Sequence, residues 1–406
     1  MKKNKSKVNR REFLYKSAAG MASLGVFNIT KNKFFPGHQE TKGNIIYRTL
    51  GKTKIKVPIV SMGVMNSNSP ELIKKSYEIG VRHFDTAANY QRGQNEKVVG
   101  QAIKDLGVRK DVIIGTKVYI PHNLRNMSAQ EAKTAYLKIA HESLERLQTD
   151  YIDILYSHNV QHLNWLNNPG ILDAMNQLKK EGKVRYIGFS THANMAELIS
   201  NAVDTKNYEV ILTSYNYAMS QNSEFINILK KAASQGIGLV AMKTQCSQYW
   251  YQQNLPEIQQ KYYKGDILHT AMLKWALKNE LITTAIPGYT NFKEMEEDFS
   301  VASNLIFSEE EKKFLDDRNV KYSLGYCQQC KKCIPSCPKG VDIPDLMRTH
   351  MYAACYANFY QARDTIDEIP PQKGLQACST CGNCTAVCQN NINIHGRLQE
   401  LMAIYV

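Results

Sequence analysis

The chain has 406 residues, 43% of them hydrophobic and 22% charged, with a formal net charge of +14. That is the composition of a soluble globular protein, too long for one ordinary core but suited to a large barrel plus a small domain. The charge is concentrated at the start: residues 1–33 hold nine Lys or Arg against Glu12 alone, a net of +8 that leaves +6 for everything else. No basic strip interleaved with aromatics follows, which argues against nucleic acid as a partner.

Lys2, Lys3, Lys5 and Lys7 precede Arg10-Arg11-Glu12-Phe13-Leu14-Tyr15-Lys16, and a modest apolar run over 17–29 follows. A charged stretch before a short apolar one is the order of a targeting segment, too short to span a bilayer as an ordinary helix. The Arg-Arg-x-Phe-Leu-x-Lys string resembles a twin-arginine export signal, with Asn9 where Ser or Thr is usual. The resemblance implies a signal segment over 1–33 and a periplasmic or exported protein that meets the membrane only through that segment if it is uncleaved. A solvated basic tail on a cytoplasmic protein is the alternative. Export after folding would suit a cysteine-rich chain, since thiols sent unfolded into an oxidising compartment form disulfides.

From about Asn44 short apolar runs alternate with longer amphipathic ones, the rhythm of βα units. Strands are expected over 57–64, 82–87, 112–118, 151–158, 184–190, 210–215, 238–242 and 283–286. Helices are expected over 71–79, 95–105, 129–146, 171–180, 195–202, 223–234, 266–278 and 292–303. Eight of each match a (β/α)8 TIM barrel, an α/β fold, here over 44–320. A hairpin of 45–50 and 54–57 around Gly51-Lys52-Thr53 would close its floor. Reactive residues of such barrels sit at the C-terminal ends of strands, where this chain places Asp85, Lys117 and His158, with Tyr90 on the loop after Asp85. Singly, each has a structural explanation: a turn cap, a solvated lysine, a satisfied core histidine. Together, at successive strand ends, they indicate a site. The loop 244–264 adds Tyr249, Trp250, Tyr251, Tyr262 and Tyr263, more simply a packed lid than a selectivity device.

A charged helix from Glu309 and a linker lead to a cysteine domain over 322–406. Its first run is Cys327-x2-Cys330-x2-Cys333-x3-Cys337-Pro338, and the spacing recurs in Cys378, Cys381, Cys384 and Cys388, followed by Gln389. Three thiolates at two-residue gaps wrap three corners of a cubane, and the fourth of each run commonly completes the other cluster. The expectation is two 4Fe–4S clusters, one on Cys327, Cys330, Cys333 and Cys388, the other on Cys378, Cys381, Cys384 and Cys337. Zinc knuckles present two cysteines rather than three, and a disulfide framework explains neither the regularity nor the repeat. The forty residues between the runs show no strand alternation and suit a pair of helices, so the domain resembles the small helical ferredoxin-like domains of multisubunit oxidoreductases. Cys246 and Cys355 are left over as small buried residues.

The strings Tyr47-Arg48-Thr49-Leu50-Gly51, Phe84-Asp85-Thr86-Ala87-Ala88-Asn89-Tyr90, Asn95-Glu96-x3-Gly100-x-Ala102, Val184-Arg185-Tyr186-Ile187-Gly188-Phe189-Ser190, Ser214-Tyr215-Asn216 and Ile286-Pro287-Gly288 resemble the aldo/keto reductase superfamily over roughly 44–320. The resemblance implies a carbonyl/alcohol oxidoreductase. Tyr90 would be the proton donor, Lys117 would lower its pKa, Asp85 would hold Lys117, and His158 would orient the carbonyl. Hydride has to come from a cofactor, because side chains do not supply it; the resemblance implies NADP or NAD. Its contacts would be Ser190 and Thr191 (a departure from the family's Ser-Asn), Tyr215, Asn216, Met242, Lys243, Gly288 and Lys293, the last with Glu294 beside it. The substrate would be a small carbonyl or alcohol, sugar-derived by analogy, and the clusters would pass electrons to or from a redox partner. Two other readings compete: an electron-transfer module with a vestigial barrel, and a reductase whose clusters are only structural.

Overall fold

The computed structural model describes residues 39–121, 125–246, 267–317, 319–320 and 324–406. The segment 1–33 and the five aromatics of the 244–264 loop lie outside the described residues. Eight parallel strands run in chain order: β4 (Met62–Gly63), β5 (His83–Asp85), β6 (Ile113–Val118), β7 (Ile152–Ser157), β8 (Val184–Thr191), β9 (Val210–Ser214), β10 (Gly238–Met242) and β11 (Thr284–Ala285). A parallel bridge from Val60 to Ala285 joins the two edges, closing the sheet. Eight helices follow the strands: α1 (Pro70–Ile79), α2 (Gln94–Leu106), α3 (Ala129–Leu147), α4 (Pro169–Lys180), α5 (Met195–Thr205), α6 (Ser223–Ser234), α7 (His269–Lys278) and α8 (Phe292–Ser300). This is the expected (β/α)8 fold.

Their ends follow from local chemistry. Ser128 caps α3 in a reciprocal box with Glu131, and Ser69 and Asn168 cap α1 and α4 ahead of a proline in the first turn. The apolar faces of these helices pack on strands whose central residues are fully buried, as both faces of a parallel sheet require.

The expected strand over 57–64 is two pieces. Lys56–Pro58 (β3) belongs to an antiparallel sheet with β1 (Gln39–Lys42) and β2 (Ile45–Thr49), and only Met62–Gly63 enters the barrel. Pro58 lacks the amide N–H that would extend its ladder, and the chain crosses from floor to barrel just beyond it. Leu50, Ile55 and Val57 plug the barrel's lower end against Ile154, Tyr156, Val210, Leu212 and Val240. Gly51, at φ +52, lies so close to β10 that a Cβ would fall 2.4 Å from the Gly236 carbonyl oxygen.

Beyond α9 (Glu309–Asp316), the cysteine region is helical: α10 (Ile343–His350), a π-helical turn over Met351–Cys355, α11 (Phe359–Asp367) and a C-terminal α12 (Ile394–Tyr405). The expected helix pair thus fills the gap between the cysteine runs. This region packs on the barrel's C-terminal face. Gln328 donates to the Ala218 carbonyl at 2.9 Å, Arg348 to Asn159 Oδ1 at 3.3 Å, and Asn358 to Asn66 Oδ1 at 2.9 Å. Among the described residues no helix is long and apolar enough to cross a membrane.

Candidate functional site

The ends of β5, β6 and β7 bring Asp85, Lys117 and His158 to one wall of a cleft of about 800 Å3, and the turn after β5 adds Tyr90. Asp85 and Lys117 are 2% and 1% exposed. Lys117 Nζ donates to Asp85 Oδ1 and, at 2.6 Å, to the Thr86 carbonyl; it lies 3.5 Å from the Tyr90 hydroxyl. Burial drives the Asp85 pKa up and the Lys117 pKa down, and the attraction between them opposes both shifts. Asp85 Oδ2 has no hydrogen-bond partner and stands over Gly115, where a Cβ would come within 3.2 Å of it. A side chain there would displace the carboxylate. The His158 ring meets the Tyr90 ring edge-on at 5.6 Å, and its Nδ1 is 3.1 Å from Asn89 Oδ1. Burial, then the charges of Lys117, Arg125, Arg348 and Lys243, hold His158 well below the ordinary imidazole pKa, so it is neutral at physiological pH.

One expectation is reversed. The Tyr90 pKa is raised, not lowered, by burial first and the Asp85 carboxylate second. Lys117 directs its ammonium to Asp85 and the Thr86 carbonyl and meets the phenol only at the limit of a hydrogen bond. Desolvation therefore wins, and the phenol is fully protonated near neutral pH.

Of the residues expected to hold a cofactor, Ser190, Met242, Lys243, Gly288 and Lys293 line the cleft. Thr191, Tyr215 and Asn216 do not. Thr191 donates to the Ala193 carbonyl at 2.8 Å. Tyr215 stacks on Trp275 at 5.2 Å and accepts from Asn279 at 2.8 Å, while Asn216 donates to the Lys243 carbonyl at 3.1 Å. Side chains alternate sides along a strand, so Thr191 leaves the cleft because Ser190 faces it. Lys293 is solvent-exposed and pairs with Glu297 at 3.6 Å. Sequence reasoning missed His192 and Gln245 on the barrel side, and Tyr352, Cys355 and Tyr356, which roof the cleft from the cysteine region. Lys243, its pKa lowered by burial to about 7, lies 4.8 Å from the Tyr352 ring centre and 5.4 Å from that of Tyr356, an amine held between roof and wall.

None of the ten cysteines is in a disulfide. Cys337, Cys378, Cys381 and Cys384 surround one cavity of about 230 Å3. Cys388 lies near enough to raise the pKa of Cys327 and of Cys333, secondary in each to burial. Gln329 and Gln389 each donate to a thiol at 3.5 Å, those of Cys327 and Cys330, and the Asn390 amide donates to Cys388 at 3.4 Å. Among the described residues no three His, Cys, Asp or Glu side chains converge as ligands of a single metal ion. Four thiols round one void, and N–H donors aimed at three sulfurs outside it, fit iron–sulfur clusters better than zinc.

A closed eight-stranded barrel with a buried Lys–Asp pair against a tyrosine and a histidine, joined to a cluster-type cysteine domain, is the frame of an oxidoreductase. The aldo/keto reductase family matches residues 60–319, and a 4Fe-4S dicluster domain matches 326–393. The chain belongs to the aldo/keto reductase family, with an iron–sulfur domain appended. It is 26% identical over 287 residues to an L-galactose dehydrogenase of Arabidopsis thaliana, covering 64% of this chain and 88% of that protein. It is 22% identical over 342 residues to an L-glyceraldehyde 3-phosphate reductase of Escherichia coli O157:H7, covering 71% and 96%. Among solved structures, a thermostable aldo-keto reductase bound to the inhibitor epalrestat superposes with a TM-score of 0.52 at 28% identity, covering 66% of this chain and 98% of that one. An aldo-keto reductase from Klebsiella pneumoniae in complex with NADPH gives 0.52 at 23% identity, covering 67% and 94%, a likeness of fold.

Proposed function

We propose that the protein interconverts a small, sugar-derived carbonyl and its alcohol with NADP(H) or NAD(H), and that two 4Fe–4S clusters exchange electrons with a redox partner. The observation that carries the reading is the meeting of Tyr90, Lys117, Asp85 and His158 in one buried cleft at the strand ends. Relatives named for a sugar and for a triose phosphate support the substrate class.

A nicotinamide dinucleotide held along Ser190, Met242, Lys243, Gly288 and Lys293 supplies or accepts the hydride. His158, its Nδ1–H donating to Asn89 Oδ1 at 3.1 Å, is held beside the carbonyl and orients it. Tyr90 gives its proton to the developing alkoxide, and the phenolate left behind lies 3.5 Å from the Lys117 ammonium. That attraction grows only as charge develops, so it favours the transition state over the bound substrate. In alcohol oxidation Tyr90 is the base.

Cys327, Cys330, Cys333 and Cys388 would hold one cluster and Cys378, Cys381, Cys384 and Cys337 the other; the clusters supply one-electron storage and transfer. A second reading, clusters as scaffold, is favoured by the hydrogen bonds that seat their domain on the barrel. Domain limits of 44–320 and 322–406, and export on the twin-arginine string of 1–33, complete the proposal and rest on the sequence alone.

Tyr90→Phe tests the core of it. The variant should lose carbonyl turnover by at least about a hundredfold while retaining cluster absorbance and nicotinamide binding; unchanged turnover would end the assignment. Anaerobic addition of an alcohol substrate separates relay from scaffold, since only a relay gives the electron paramagnetic resonance signal of a reduced cluster.

A further inference from the structure

Next to His158 the cleft opens into a small recess of about 10 Å3, whose walls come from both parts of the chain. Asn89, Tyr119 and His192 belong to the barrel; Arg348, Gln361 and Glu368 come from α10 and α11 and the residue that follows. Arg348 is 4% exposed, and it reaches Asp345 at 3.1 Å and Asn159 Oδ1 at 3.3 Å, both through Nη1. The Tyr119 hydroxyl is buried without a hydrogen-bond partner. A buried donor left unmade costs stability unless something fills the role.

Charge around the recess does not balance. Lys117 has Asp85, and Arg348 has Asp345. Arg125 spends its guanidinium on the carbonyls of Ile120, His158 and Asn159 and has no carboxylate partner among the described residues, while burial lowers the pKa of Lys243, which rests on tyrosine faces, to about 7. Burial raises the Glu368 pKa to about 8, which weakens its share of negative charge at neutral pH. His158 and His192 feel the excess, both held neutral by burial and the surrounding cations. Tyr119, Gln361 and Arg348 are all able to donate hydrogen bonds.

We infer that this recess is a carboxylate subsite, formed only when the cysteine region covers the barrel, and that Arg348 with Tyr119 selects substrates carrying a carboxylate beside the reacting carbonyl. Its volume takes one oxygen-sized group, which a carboxylate oxygen matches. The inference rests on the proposed carbonyl chemistry and narrows its substrate to oxo acids and hydroxy acids, sugar acids among them.

The test uses matched probes, pyruvate and 2-oxobutanoate against their methyl esters, with NADPH and cluster-loaded full-length protein. The acids should exceed their esters in kcat/KM by about tenfold or more, the size of a charge-assisted hydrogen bond. Arg348→Lys and Tyr119→Phe should each shrink that ratio, with cluster absorbance showing that the fold is kept. Calorimetric titration of pyruvate into NADP+-loaded protein, which has no hydride to give, reads the subsite without turnover, and binding that weakens in both variants supports it. Esters reduced as well as acids would overturn the subsite and leave the reductase reading standing. Turnover of none of the probes, with pyruvate still bound, would do the reverse. Absence of pyruvate binding, or a ratio unmoved in both variants, would overturn the inference.

Discussion

Asp85→Asn is the most direct probe of the buried charges, because it removes one of them without changing shape. The Lys117 ammonium would keep only neutral partners, the Thr86 carbonyl at 2.6 Å and the Tyr90 hydroxyl at 3.5 Å. Removing one partner of a buried ion pair costs about 3–5 kcal/mol. At roughly 2 °C per kcal/mol for a large domain, the thermal midpoint should fall by about 6–10 °C. The sign of the pH dependence follows from Lys117. Burial lowers its pKa and Asp85 raises it back in part, so in the variant the folded state binds this proton more weakly than the unfolded chain. Where the unfolded state holds more protons, stability rises with pH. The deficit should be full below the folded pKa of Lys117 and shrink as pH climbs towards the free-lysine value. Calorimetry at several pH values reads this, and carbonyl reduction should be lost throughout, since Lys117 is no longer held charged beside Tyr90. Replacing both residues, Asp85→Asn with Lys117→Met, should restore much of the midpoint and none of the activity. A single variant that melts with the parent at every pH would refute the reasoning, for it would mean that the pair is solvated.

The remaining predictions concern packing and ligands. Arg146→Met strands Glu96, a carboxylate with no exposed surface that Arg146 meets at 2.7 Å; a loss of about 3–5 kcal/mol is expected in denaturant titration. Gly188→Ala puts a Cβ 2.2 Å from the Val210 carbonyl oxygen between two barrel strands, and soluble expression should collapse. Cluster pairing is read from iron content and electron paramagnetic resonance. Cys388→Ser should impair the same cluster as Cys327→Ser, with the double variant no worse than either, while Cys388→Ser with Cys337→Ser should impair both clusters.

Much of this protein was determined locally. Hydrophobic period and turn residues specify the βα units, and a residue at the end of a barrel strand has one place to go, so Asp85, Lys117 and His158 were legible as a group before any coordinate. The two cysteine runs were legible for the same reason, since ligand spacing is itself a geometric statement about a short loop. Where neighbouring strand residues had to be told apart, parity decided: Ser190 faces the cleft and Thr191 cannot. Tyr215 was lost to the cleft because Trp275, sixty residues on, offers its ring a face. Only the tertiary structure placed a roof over the site. Arg348 reaches Asn159 across 189 residues and Asn358 reaches Asn66 across 292, and no local pattern encodes such contacts. The Tyr90 pKa was decided there too, because charge pairing was visible in the residue types but the desolvation that outweighs it exists only once the strands close and the cysteine region covers them.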